Sequence, residues 1–518
     1  APTCGYVIIS FIKMRKFSFF HKKFWGLLIF SLLIFLFCYF RLKPIFFQTV
    51  PYTYDQGRDF LKVQEIIRDL NLTLIGPTSG IPGLFHGAWW YYFLAIPYVI
   101  FSGLPIGFSI FIFINSLLQL IFFSYFFRKE FGLLSSLLFA LLITGSSYFI
   151  SMSFFVISSV FTFPFILLFI YSAYLFLKTE DKKYFFWLFL WIGFILEAEL
   201  PTGFLTGIAF IITLLFLGKI KLLLSKDGLK KALFGFIIPI SPRFLFEVMK
   251  GFPQSKTLLK FLLNPEFHNP KLFIDIFRDR LSLFNNYLIS SFPFDNSFFI
   301  YGIFLLSIVG IFIAFIKSSK RNKNFYIFAP LMIVLFFLLS CLYKDNFWSN
   351  YYEGIVYYFI LTIVLGFYSF SKLENKLIKN LPWLLFAVLL LFNLSKFTKE
   401  IKNNIIVNDG LKKQLATVNR IYELNKEKKD FCVRIYTPPV IPHTYNYLFD
   451  YNHNFKNKVR PTVNYVDSQC WYIIEDDNFI FRIDQFRKGH IPTTGKLIMK
   501  ESIHKDVSLE LWRDYPQK

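Results

Sequence analysis

The chain has 518 residues, 55% hydrophobic and 17% charged, with 73 phenylalanines and a formal net charge of +23. At a mean hydropathy of +0.49, with apolar runs of membrane-spanning length recurring along it, a soluble fold is excluded, because no single core of this size hides so much apolar surface. Nucleic acid is excluded as the meaning of the charge, since the basic residues sit in short loops between apolar runs, where they set orientation and attract anionic lipid.

In chain order, the first apolar segment, 24–40, follows Lys13, Arg15, Lys16, Lys22 and Lys23 and has no small-residue cleavage site after it. It reads as an uncleaved helix whose N-terminal residues 1–23 are cytoplasmic. Further apolar segments fall at 89–104, 108–127, 132–150, 157–177, 184–217, 231–247, 298–316, 325–342, 354–371 and 381–397. The basic loops between them are Arg128/Lys129, Lys178/Lys182/Lys183, Lys219 to Lys231, Lys317 to Lys323 and Lys372 to Lys379. All five become cytoplasmic under two conditions. Segment 89–104 must lie along or dip into the outer leaflet, as Trp89, Trp90, Tyr91, Tyr92 and Tyr98 with the breakers Pro97, Gly103 and Pro105 suggest. The long run 184–217 must be two short helices meeting at EAELPTG. The fold class is then a polytopic α-helical protein of the plasma membrane with about 11 transmembrane helices in 24–397, external loops 41–107 and 248–297, and a C-terminal extracytoplasmic α/β domain, 398–518. FCVRIYT and CWYIIED read as strands of that domain. Cys432 and Cys470 lie in it and would pair in an oxidising compartment; no cysteine spacing suggests zinc.

The chemistry concentrates in PYTYDQGRDFLKVQEIIRDLN, residues 51–71. From Arg58 onward Phe60, Val63, Ile66, Ile67 and Leu70 recur at helical spacing, with Lys62, Glu65 and Asp69 opposite, which predicts an amphipathic helix on the outer membrane surface. Gly57 permits a turn before it. Asp55 either caps this helix or presents a reactive carboxylate at the membrane boundary. Asp59 falls in the first turn, where an acid complements the helix dipole. Arg58 and Lys62 are either solvated or placed to meet a phosphate. Glu197 and Glu199 stand in an apolar run, where an ionisable group is costly unless used, or else sit solvated at the interface. Glu247 is spaced to pair with Arg243 one turn back. The aromatic cluster from Trp89 to Tyr92 is either an interface anchor or a sugar platform.

The order of apolar helix, YDQGRDF, amphipathic helix and LIGPTSGIPGLFHGAWWYYFLAIP resembles the GT-C superfamily of membrane glycosyltransferases, and within it the protein O-mannosyltransferase-like branch that includes lipid A aminoarabinose transferases. Those enzymes carry an acidic motif, usually Asp-Glu, in the first external loop, and a later His-Pro-Pro or His-Gly-Pro followed by tyrosines. Here the motifs read Asp55-Gln56 and His86-Gly87-Ala88-Trp89-Trp90-Tyr91-Tyr92. PRFLFEVMKGF, with Arg243 and Glu247, and FWSNYYEG, with Tyr351 and Tyr352, resemble later segments of the same enzymes. The resemblance implies transfer of a sugar from a polyprenyl-phosphate donor to an acceptor hydroxyl at the outer face, with inversion and with Asp55 as general base. It implies a substrate-binding set of Arg58, Asp59, His86, Trp89, Tyr91, Glu197, Glu199, Arg243, Glu247, Tyr351 and Tyr352, and leaves the acceptor unidentified. One departure is clear: the loop SMSFFVISS, 151–159, lacks the second acid many members carry. A divalent cation such as magnesium or manganese would therefore need Asp55 together with Glu197 or Glu199. The rival classes are a transporter or flippase of lipid-linked sugars and a surface-polysaccharide ligase or polymerase. The absence of internal repeats and the short late loop count against them.

Overall fold

The computed structural model describes residues 4–263, 271–317, 320–344, 347–402, 409–426, 428–438 and 441–515, and of 4–24 and 320–322 the backbone alone. Among these residues eight helices are long and apolar enough to cross a membrane: Trp25–Phe46, Pro105–Phe131, Ser158–Thr179, Lys226–Lys250, Ser297–Lys317, Lys323–Cys341, Ser349–Phe370 and Lys376–Lys402. Three more apolar helices, Leu133–Gly145, Tyr184–Ala198 and Leu200–Phe216, have 13, 15 and 17 residues. These fall short of the roughly 20 residues that an upright span requires. The long run 184–217 does divide, and the break falls at Glu199, whose extended backbone separates the two helices. Trp89–Ile100 has 12 residues, or about 18 Å of helix at ~1.5 Å per residue, too short to cross.

The helix ending at Phe370 is the axis of the bundle, with 94% of its apolar window buried. Its close neighbour is Ser297–Lys317, and glycine sets the approach. A Cβ on Gly310 would stand 2.2 Å from the Gly366 carbonyl oxygen, and one on Gly366 2.3 Å from that of Ser307, the small-residue contact that lets membrane helices touch backbone to backbone. The first helix is fixed by Arg41, fully buried. Its guanidinium donates to the Ser153 hydroxyl and to the carbonyls of Phe37, Ile143 and Thr144, so a buried cation is met by backbone dipoles.

Three expectations about the region after the first helix are corrected. The helix is Tyr54–Arg68, so Asp55 lies inside its first turn. Thr53 is the N-cap, and its backbone N–H donates to the Gln56 side chain at 2.8 Å. Gly57 makes no turn. It is helical, and a Cβ there would come within 2.4 Å of the Thr444 nitrogen, so its missing side chain lets a tail helix, His443–Lys456, seat on this one. Finally, the apolar face meets protein. Phe60 is buried and stacks on Phe108 with ring centres 3.8 Å apart, and Tyr447 of the tail helix meets its edge at 5.2 Å.

The tail forms a four-stranded sheet in the order Val433–Tyr436, Gln469–Glu475, Val507–Asp514, Gly495–His504, the first pair parallel and the others antiparallel. Cys432 and Cys470 are joined by a disulfide at the start of the parallel pair. The tail is tied to the bundle by backbone bonds, Leu411 N–H to Val50 O at 3.0 Å and Lys412 N–H to Gln48 O at 2.8 Å. The Tyr52 hydroxyl adds a bond to the Thr444 carbonyl at 3.2 Å.

Candidate active site

The helix Tyr54–Arg68 sets Asp55, Arg58 and Asp59 on adjoining turns. The Arg58 guanidinium joins both acids, at 2.8 Å to Asp55 Oδ1 and 2.8 Å to Asp59 Oδ1. The two acids differ in surroundings. Asp55 keeps 57% of its side chain exposed, whereas Asp59 is buried and accepts from the Trp90 indole N–H at 2.7 Å. Burial pushes the Asp59 carboxyl up to about 6, against the pull of Arg58 and Trp90. Burial also works against the Arg58 charge, but Asp59 and then Asp55 outweigh it and hold the guanidinium above its usual value. Arg58 also reaches the Tyr91 hydroxyl. Asp59, Trp90 and Tyr91 thus fix Arg58, and Arg58 fixes Asp55.

A second group converges from three other segments. Strands Ile75–Thr78 and Phe85–Gly87 form a small antiparallel hairpin that carries His86. A Cβ on Gly87 would fall 1.9 Å from Glu197 Oε2, so only glycine lets Glu197 lie against this strand. Glu197 Oε1 accepts from Arg243 Nε at 2.7 Å. The expected Arg243–Glu247 pair is therefore corrected. Arg243 turns to the buried Glu197, and Glu247 instead accepts from the backbone N–H groups of Gln254 and Ser255 at 3.0 and 2.9 Å. Burial, then Arg243, then Arg58 drive His86 down to about 3. His86 is therefore neutral, and two arginines 185 positions apart both act on its charge. His86 Nδ1, Arg243 Nη2 and Glu197 Oε2 are all buried without a hydrogen-bond partner. Unpaired buried polar atoms are costly, and these three belong to residues linked by the approach of Gly87 to Glu197 and by the Glu197–Arg243 ion pair.

The other expected site residues lie apart from this group. The Trp89 indole donates to the Pro239 carbonyl at 2.7 Å and anchors the hairpin to the helix Lys226–Lys250. Tyr351 lies beside Gly80, and the Tyr352 hydroxyl bonds Ser340. Glu199 holds the Asn350 amide at 3.0 Å. Glu197 and Glu199 are each engaged through one oxygen, by Arg243 and by Asn350, while Glu197 Oε2 and Glu199 Oε1 are buried without a partner. Among the described residues no three His, Cys, Asp or Glu side chains gather to hold a metal.

No protein-family description and no curated protein matches the sequence. Solved structures do. ArnT from Cupriavidus metallidurans bound to undecaprenyl phosphate aligns with a TM-score of 0.55 at 11% identity, over 95% of this chain and 99% of that one. The same protein in the apo state aligns at 0.55 and 10% identity, over 96% and 100%. This chain has the ArnT-like fold. The ArnT-like alignment covers both the helical bundle and the tail, and with the apolar helices it makes this an integral membrane protein.

Sequence reasoning missed two parts of the ArnT-like architecture. Glu353 is buried with Oε2 unpaired; it stood in FWSNYYEG, where the tyrosines drew the attention. Gln414, Thr437 and Glu475 of the tail line an open cleft of about 610 Å³ whose other wall holds Asp55. No local pattern marks them, since only the docking of the tail brings them to the site.

Proposed function

We propose that this protein transfers a sugar from a polyprenyl-phosphate donor to an acceptor hydroxyl. In this reading loops 41–107 and 248–297 and the tail face the outside, and residues 1–23 face the cytoplasm. The reading rests most on one observation: Asp55 stands exposed at an open cleft, paired with an Arg58 that acts, with Arg243, on the charge of a buried, neutral His86. A donor with its lipid in the bilayer carries its phosphate at the membrane surface, where two guanidiniums bind it and meet the charge of the departing phosphate. His86 donates a hydrogen bond and adds no charge. Asp55 takes the proton of the acceptor hydroxyl as its oxygen bonds the anomeric carbon. The bond from that carbon to the phosphate oxygen breaks with its electron pair, and the sugar is inverted. Asp59 keeps Arg58 in place.

The test is consumption of radiolabelled polyprenyl-phosphate sugars by purified protein in liposomes without an ion gradient. Turnover there supports the transferase. Movement of donor across the bilayer without cleavage makes the protein a transporter.

A further inference from the structure

The cleft beside Asp55 has a chemistry of its own. One wall is the start of the helix Tyr54–Arg68, and the other is the tail, at Asp409–Gly410, Lys413–Gln414, Thr437–Pro438, Ile441, Thr444 and Glu475. The walls are held together by the backbone bonds of residues 48–50 to 411–412 and by the close seat of Gly57 on Thr444, so the space is built into the fold. Its volume of about 610 Å³ lies within the ~300–1,000 Å³ of small-molecule sites.

Its charge is one-sided. The lining carries three carboxylates, Asp55, Asp409 and Glu475, and one ammonium, Lys413. That ammonium is already held by Asp506 at 2.8 Å. Lys413 is shared by Asp506 and Asp409, and Arg58, which answers Asp55, is shared with Asp59, so among the described lining residues a phosphate or carboxylate finds no uncommitted cation. The lining is otherwise rich in hydrogen-bonding side chains. Glu475 accepts from the Tyr445 hydroxyl at 2.8 Å. Gln414 is only 6% exposed, and its Oε1 has no partner, an acceptor that a ligand hydroxyl would satisfy. An extended peptide would want an open strand edge. Among the described lining residues only Glu475 belongs to a strand, and that strand is paired on both sides.

We propose that this cleft is the acceptor site and that the acceptor is an uncharged, hydroxyl-rich saccharide, held by Gln414 and Glu475 so that one hydroxyl faces Asp55. The proposal rests on the transferase reading for the role of Asp55. Donor phosphate and acceptor then enter from opposite sides of one ion pair, Asp55–Arg58.

The experiment places a benzoylphenylalanine photo-cross-linker at Ile441, an exposed residue of the cleft, in the full chain made in its own membranes. The captured adduct is typed after irradiation. A periodate-reactive adduct that resists protease and carries no radiolabelled phosphate is the expected result. Solubility of that adduct in organic solvent then tells a glycolipid headgroup from a polymer. A protease-sensitive adduct, a phosphate-bearing one, or no adduct overturns the proposal. Gln414→Leu should lower the yield about tenfold, and Gln414→Asn, which keeps both the amide acceptor and the donor that faces Glu475, should retain more of it; equal yields from both at equal amounts of folded protein contradict the role of Gln414. The same membranes are assayed for transfer from polyprenyl-phosphate sugars. Saccharide capture without transfer leaves the cleft standing and sinks the transferase, whereas transfer without saccharide capture does the reverse.

Discussion

The two sides of Asp55 differ in charge and in closure. Toward His86 the molecule is buried, with Arg58 and Arg243 both acting on the charge of a neutral imidazole. Toward the tail it is open and acidic, with Asp409 and Glu475 facing a cleft. One carboxylate stands between them, tethered by Arg58 at 2.8 Å. On the proposed function, a single ion pair would separate two substrates of opposite preference, an anionic donor on the buried side and an uncharged acceptor on the open one.

Breaking this division should give graded effects. Asp55→Asn removes the base and should lower kcat by about 10²–10⁴-fold, with the KM for donor nearly unchanged, as measured in steady-state transfer. Arg243→Gln should weaken donor use by about 10–10²-fold, the scale of a charge-assisted contact. It also strands the buried Glu197, at a cost of about 3–5 kcal/mol in stability, readable as a lower Tm in detergent. Gly57→Val puts side-chain atoms into the His443–Thr444 backbone and should cost about 1–3 kcal/mol. It should loosen the tail, seen as faster proteolytic release of 409–515, and weaken acceptor use more than donor use.

Asp59 sharpens the comparison through pH. Its carboxyl is raised to about 6, chiefly by burial, so it is ionised above that pH and protonated below. As pH falls through about 6, Arg58 loses one of its two acids and the transfer rate should drop. For stability the sign is opposite. A raised carboxyl pKa favours the folded state while protonated, and that contribution is lost as pH rises through about 6. Asp59→Asn should remove the acid limb of the rate profile. His86, held near 3, should add no limb between pH 5 and 8. The smallest effect is expected from metal removal. Because no three His, Cys, Asp or Glu side chains gather among the described residues, EDTA should change transfer by less than about twofold.

The parts legible in the sequence are those carried by local pattern. The apolar runs, the break at Glu199 and the short helix from Trp89 follow from hydropathy and from Pro, Gly and buried charge. Asp55 stood out in the sequence for following the first apolar helix, but it lies inside the first turn of the next helix and not ahead of it. What was hidden depends on distant contacts. Arg243 lies one turn from Glu247, which made a local pair plausible, yet its partner is 46 positions away because Gly87 leaves room for Glu197. Gly57 read as a turn because the tail helix that needs its missing side chain begins nearly 400 residues later. The strands of the tail could be read from their β-branched and aromatic residues. The position of Gln414 beside Asp55 could not, since it follows from the docking of one unit on another.

The division of labour is tested most directly by equilibrium binding of radiolabelled polyprenyl phosphate to the purified wild type, Asp55→Asn and Arg243→Gln. The account predicts that Asp55→Asn binds as tightly as the wild type or tighter, having lost a nearby negative charge, while Arg243→Gln binds at least about tenfold more weakly. Loss of binding in Asp55→Asn, or full binding in Arg243→Gln, would contradict it.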